Sequence, residues 1–82
     1  MKVHIVLSSV TFATRSKHLL EQSNISCYIS QTPKQITNKG CAYSVIIDKE
    51  NIKTSLEIIK SQDFNLLGVY EKRGDDMYVP LP

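Results

Sequence analysis

The sequence predicts an α+β domain whose elements run β-α-β-β-α-β along the chain. Three observations predict it. Short stretches that read as strands, by period-two alternation or β-branched and apolar content, occur four times. Two longer stretches between them carry apolar residues at helical spacing, each behind a residue type that caps helices. A length of 82 residues leaves room for one small domain.

The first strand is set by Val3, Ile5 and Leu7 alternating with Lys2 and His4. Ser8, Ser9 and Thr11 then offer N-cap oxygens for a helix over about Val10–Gln22, with Phe12, Ala13, Leu19 and Leu20 on its inner side. Ser23-Asn24 ends it. Ile25, Cys27 and Ile29 alternate with Ser26, Tyr28 and Ser30 as a second strand. A polar loop over Gln31–Gly40, holding Pro33, leads to a third strand at Ala42–Ile47. Asp48 is placed to cap a second helix at about Lys49–Ser61, with Ile52, Leu56 and Ile59 as its buried stripe. Leu66–Tyr70 is the fourth strand, and Gly68 within it signals a bulge or a close backbone approach. This order is the split βαβ, ferredoxin-like pattern. It implies a four-stranded antiparallel sheet with both helices on one face. One domain is expected over residues 1–72, with residues 73–82 as a flexible tail.

Composition excludes several classes of function. The formal net charge is only +2 and the basic residues form no stripe, so there is no electrostatic footprint for nucleic acid. No apolar run approaches the length of a membrane span, and Val3–Leu7 is too short for a signal-peptide core. The expected location is the cytoplasm, where thiols stay reduced. No Cys-x-x-Cys and no histidine cluster has metal-ligand spacing, and the glycines form no phosphate loop, so neither metal nor cofactor is expected.

The chemistry-bearing candidates are thiols. With Ser30 placed beside Ala42, Cys27 and Cys41 stand about four residues apart along the ladder, about 13 Å at a rise of about 3.3 Å per residue. A disulfide requires Cα atoms within about 7 Å, so the two are expected to be unbridged. Cys27 falls with Ile25 and Ile29 as a packing residue. Cys41 follows a polar loop and precedes an apolar strand, where solvent reaches a thiol. Lys39 and the Gly40 backbone would favour its thiolate, with Lys34 as a further cation. The bland reading is that Cys41 merely begins a strand. His4 and His18 stand at no spacing that specifies a base for it.

Several separated features then agree with a known family. They are Ser8-Ser9-Val10-Thr11 after the first strand, Leu19-Leu20, Thr32-Pro33-Lys34, the Gly40-Cys41 element, the acidic Asp48, and Gly68-Val69-Tyr70-Glu71. Over about Val3–Lys72 the chain resembles the small bacterial family of putative Se/S carrier-like proteins. Many members read Cys-Gly where this chain reads Gly40-Cys41, so the thiol is shifted by one place or the loop differs in length. The resemblance implies a carrier that holds sulfur or selenium as a persulfide or selenosulfide on Cys41. It would be at most a transfer protein rather than an enzyme of turnover, with protein donors and acceptors as partners. Two other readings stand beside it. One is a protein-interaction module using an open sheet face of His4, Val6, Tyr28, Ser44 and Ile46, including a homodimer through that face. The other is a small-ligand regulatory domain.

Overall fold

A computed structural model describes residues 2–34, 36, 42–62, 64, 66–75 and 77–81. The architecture is α+β: two helices and a five-stranded antiparallel sheet in the order β2-β3-β1-β4-β5. The elements are β1 (Lys2–Leu7), α1 (Val10–Gln22), β2 (Tyr28–Gln31), β3 (Tyr43–Asp48), a single 3₁₀ turn (Lys49–Asn51), α2 (Ile52–Lys60), β4 (Leu66–Lys72) and β5 (Tyr78–Pro80). The four-stranded ferredoxin-like sheet expected from the sequence is therefore corrected to five strands. The added strand comes from residues that the sequence pattern leaves as tail. Tyr78, Val79 and Pro80 pair with Lys72, Glu71 and Tyr70, and Arg73 N–H donates to the Met77 carbonyl at 2.8 Å to close the hairpin.

Helix α1 follows the sequence closely because its signals are local. Ser9 Oγ accepts from the Phe12 amide at 3.3 Å. At the other end Asn24 adopts φ 62°, Ile25 N–H donates to the Leu20 carbonyl and Asn24 N–H to the Glu21 carbonyl, each at 3.0 Å. That is a Schellman ending with asparagine in the left-handed position and an apolar residue folded back behind it. Ile25 is accordingly buried.

Alternate residues of β1 and β3 face the helices. Val3, Ile5, Leu7, Val45 and Ile47 form one cluster with Ala13 and Leu20 of α1, Ile59 of α2, Ile25 and Val69. Burying such side chains contributes about 1.5–3 kcal/mol each, an upper estimate that chain entropy opposes. Cys27, just before β2, is half-buried against this cluster.

Three further expectations change. Ser30 pairs with Ser44, not Ala42, so the β2–β3 register differs by two residues. A slip of two preserves which side chains share a face. Asp48 makes no cap; its Oδ1 lies 2.6 Å from Lys2 Nζ, and the chain makes a 3₁₀ turn before α2 begins. The face turned away from the helices is not open. Val6, Ile46, His4 and Ser44 are buried, and of the five residues expected there only Tyr28 is exposed. Val6 and Ile46, which motivated the expected interaction face, are therefore not exposed, whereas Tyr28 is. The bulge expected at Gly68 is present. The β1–β4 register shifts between Val6, paired with Gly68, and Leu7, paired with Leu66. The Tyr70 ring also lies where a Gly68 side chain would be, with its Cε1 3.0 Å from an ideal Cβ position.

Candidate functional site

Strands β2 and β3 converge on the segment that carries the sequence-predicted thiol. Past the end of β2, Thr32 N–H donates to the Ala42 carbonyl at 3.1 Å. Thr32 Oγ1 and Ser44 Oγ form a buried hydrogen bond at 2.9 Å. Two bonds from one residue thus tie the two ends of the segment together. Beyond Thr32, Ile36 N–H donates to the Pro33 carbonyl at 3.0 Å, which closes a tight turn. Lys34 is exposed on that turn and makes no ion pair among the described residues. Cys41, Lys39 and Gly40 lie outside the described residues. Cys41 is bonded to Ala42, which is buried and held by Thr32.

Tyr43 pairs with Leu7, and Leu7 pairs on its other side with Leu66. The site is therefore at the sheet end where β1 gives way to Ser9 and α1. Next to it on the face away from the helices runs a row of small side chains, Ser30, Ser44, Val6 and Gly68. The row behind it is larger: Tyr28, Ile46, His4 and Tyr70.

Cys27 behaves as the packing residue expected. It is a free thiol, and its Sγ–H points to the Lys17 carbonyl at 3.8 Å. Burial, with Glu21 adding to it, pushes its pKa above the ordinary thiol value, against a smaller opposing effect of Lys17.

The histidines are far apart in role. His4 is 5 % exposed, its Nδ1 has no hydrogen-bond partner among the described residues, and its ring meets Tyr78 edge-on with centroids 5.1 Å apart. Burial, with Lys72 adding to it, holds its pKa below the ordinary value. His18 is exposed on α1, 3.2 Å from the Gln22 amide nitrogen. It lines a groove of about 440 Å³ with Thr14, Arg15, Leu19, Gln62 and Phe64. Among the described residues no group of three or more His, Cys, Asp or Glu is placed to hold a metal ion. No helix there is long and apolar enough to cross a membrane.

Sequence reasoning missed the Thr32–Ser44 pair and the His4–Tyr78 contact. The first was within reach, since Thr32 and Ser44 take the same face once the register is right. The second was not, because it depends on β5.

A family model described as "Putative Se/S carrier protein-like" matches residues 2–71. No curated protein and no solved structure matches the chain. The matched span runs from β1 into β4 and stops short of β5.

Proposed function

Because the chain belongs to the Se/S carrier protein-like family, we propose that it carries a sulfur or selenium atom on the thiol of Cys41. The observation that supports Cys41 over the other cysteine is the condition of Cys27. A carrier requires a thiolate that a donor protein can reach. Cys27 is half-buried, directed at a backbone carbonyl, and shifted toward the neutral thiol. Cys41 adjoins a residue tethered at the mouth of a turn that displays Lys34 to solvent. Lys34 and Lys39 supply positive charge that favours a thiolate and attracts an acidic donor surface.

The transfer balances without an added oxidant. The Cys41 thiolate attacks the terminal sulfur of a persulfide on the donor protein. A new S–S bond forms at Cys41 as the donor's S–S bond breaks, and the donor cysteine leaves as a thiolate. Cys41 then holds a persulfide, which an acceptor thiolate removes in the same way. A donor perselenide gives a selenosulfide by the same step.

The test is intact mass after incubation with a cysteine desulfurase and cysteine. Wild type and Cys27→Ser should gain the mass of one sulfur atom, reversed by reductant, and Cys41→Ser should not. A gain retained in Cys41→Ser and lost in Cys27→Ser would overturn the assignment. In the unloaded protein Cys41 should be alkylated quickly and Cys27 slowly.

A further inference from the structure

We propose that the groove between α1 and the turn after α2 binds a small organic acid, a monocarboxylate with an apolar or aromatic body. Thr14, Arg15, His18 and Leu19 line one side of it, and Gln62 and Phe64 line the other. The α1 residues share one side of the helix, because positions four apart are neighbours on a helix surface. That side adjoins the one on which Ala13, Ser16 and Leu20 are buried. Leu19 and Phe64 are accordingly half-buried, while Thr14, Arg15, His18 and Gln62 are exposed. The groove thus has apolar walls and a polar rim.

The Phe64 wall is fixed by its own contacts. Phe64 N–H donates to the Gln62 carbonyl, and the Phe64 carbonyl accepts from the Leu66 N–H, both at 2.8 Å. Its ring lies against Phe12, with centroids 5.5 Å apart and planes tilted by 33°. Most of the rim is already occupied. Thr14 Oγ1 donates to the Val10 carbonyl at 2.8 Å. Gln62 Nε2 donates to Ser61 Oγ at 3.4 Å, and His18 Nε2 stands 3.2 Å from Gln22 Nε2. Arg15 differs from these. It makes no ion pair among the described residues. With His18 neutral, its guanidinium is the only formal charge on the groove lining.

These features set the class of ligand. The groove volume of about 440 Å³ falls within the range of small-molecule sites, about 300–1,000 Å³. A stable protein interface needs about 800 Å² from each partner, more than these few side chains present. Leu19 and Phe64 take an apolar body. The Arg15 guanidinium takes a carboxylate, whose geometry matches its parallel N–H donors. A single cation balances a monoanion and leaves a phosphate dianion half neutralised, which favours the carboxylate.

The test follows the backbone amide chemical shifts of the isotope-labelled full chain during titration. The probes are phenylbutyrate, its uncharged amide, and phenylbutylamine, which share one apolar body. Phenylbutyrate should shift the amides of the lining residues saturably. The uncharged amide should bind about five-fold more weakly, the upper end for an exposed ion pair, and the amine more weakly still. Arg15→Gln, at an exposed position, should bind the acid and its amide equally. Thr14→Glu, also exposed, places a carboxylate on the rim and should reverse the order of acid and amine. Equal binding of the acid and its amide to the wild-type chain overturns the proposal, as do shifts that saturate elsewhere or fail to saturate at millimolar probe. Lining-residue shifts that follow protein concentration without a probe would put a second copy in the groove, and would overturn it as well.

Discussion

Acid should destabilise this protein through His4, and the effect should depend on Tyr78. In the unfolded chain His4 titrates near its ordinary value of 6.5; in the folded protein its pKa is lowered, first by burial and then by Lys72. The unfolded state therefore binds more protons than the folded state as pH falls, and stability falls with it. The contribution is fully present above about pH 6.5 and is lost as pH drops toward the folded value. One proton limits the slope to about 1.4 kcal/mol per pH unit. Over the range from pH 6.5 to about pH 5 that slope caps the loss at about 2 kcal/mol. Little nearby relieves the charge. The face around His4 carries Ile46 on β3, Tyr70 and Lys72 on β4, and Tyr78 on β5; Lys2 lies along β1, paired with Asp48. The assay is urea unfolding from about pH 7.5 to about pH 5 for wild type and His4→Phe. The phenylalanine keeps an aromatic ring against Tyr78 and cannot titrate, so the difference isolates His4 from the carboxylates. Tyr78→Ala should cost about 1 kcal/mol at neutral pH for the lost ring pair and shallow the acid slope by wetting His4. Wild-type and His4→Phe stabilities that fall in parallel would refute the reasoning.

Two further outcomes follow from the structure. Glu71 is fully covered and sits between Lys49 and Arg73, each of which approaches one of its carboxylate oxygens. The bonds from Lys49 and then Arg73 hold its carboxyl below 4.5, so its stabilisation is present above that value and is lost as pH falls through the folded one. Glu71→Gln should lower the urea midpoint at neutral pH and flatten the acid limb below about pH 4.5 relative to wild type. Gly68→Ala should cost about 1 kcal/mol, because the new methyl meets Tyr70 Cε1 at 3.0 Å and the ring must move; unchanged thermal unfolding would show that Tyr70 yields freely.

What could be read from the sequence is what local chemistry decides. The limits of α1 come from Ser9 at one end and Ser23-Asn24 at the other, all within hydrogen-bond reach of the helix they bound. The facing of β1 and β3 follows from period two, and it survives a two-residue error in the β2–β3 register because such a slip returns each side chain to the same face. What could not be read is what distant partners decide. Asp48 looks like a helix cap until Lys2, 46 positions earlier, takes its carboxylate. Tyr78–Pro80 has three paired residues and ends in proline, and it is a strand only because β4 supplies the ladder. The contact of Tyr78 with His4 follows from that strand, so part of the burial of that face depends on an element the pattern does not contain. At the candidate site, the Thr32-Pro33-Lys34 turn and the packing role of Cys27 were legible; the Thr32–Ser44 bond waited on the register.

The distribution of charge along the sheet bears on the carrier reading. The strand ends at Lys2, Asp48 and Lys72 hold three ion pairs: the exposed Lys2 with Asp48, and Lys49 and Arg73 with the covered Glu71. Lys2, Lys49 and Arg73 there are committed to carboxylates of the same chain, while Lys72 makes no ion pair among the described residues. At the opposite end, where Leu7 meets Tyr43 and Leu66, Lys34 stands exposed on its turn without an ion pair among the described residues. A cation already neutralised does little for a neighbouring thiolate or for an approaching acidic partner, whereas an uncommitted one acts on both. The thiols differ as well. Cys27 is packed beneath α1, where burial stabilises its neutral form, and Cys41 belongs to the segment that Thr32 closes at the Lys34 end. Sulfur transfer by exchange requires one thiolate that meets a partner and a fold that keeps its other thiol out of the reaction. The proposed division of labour between the two cysteines puts the exchange at the end where Lys34 is exposed and leaves Cys27 packed under α1.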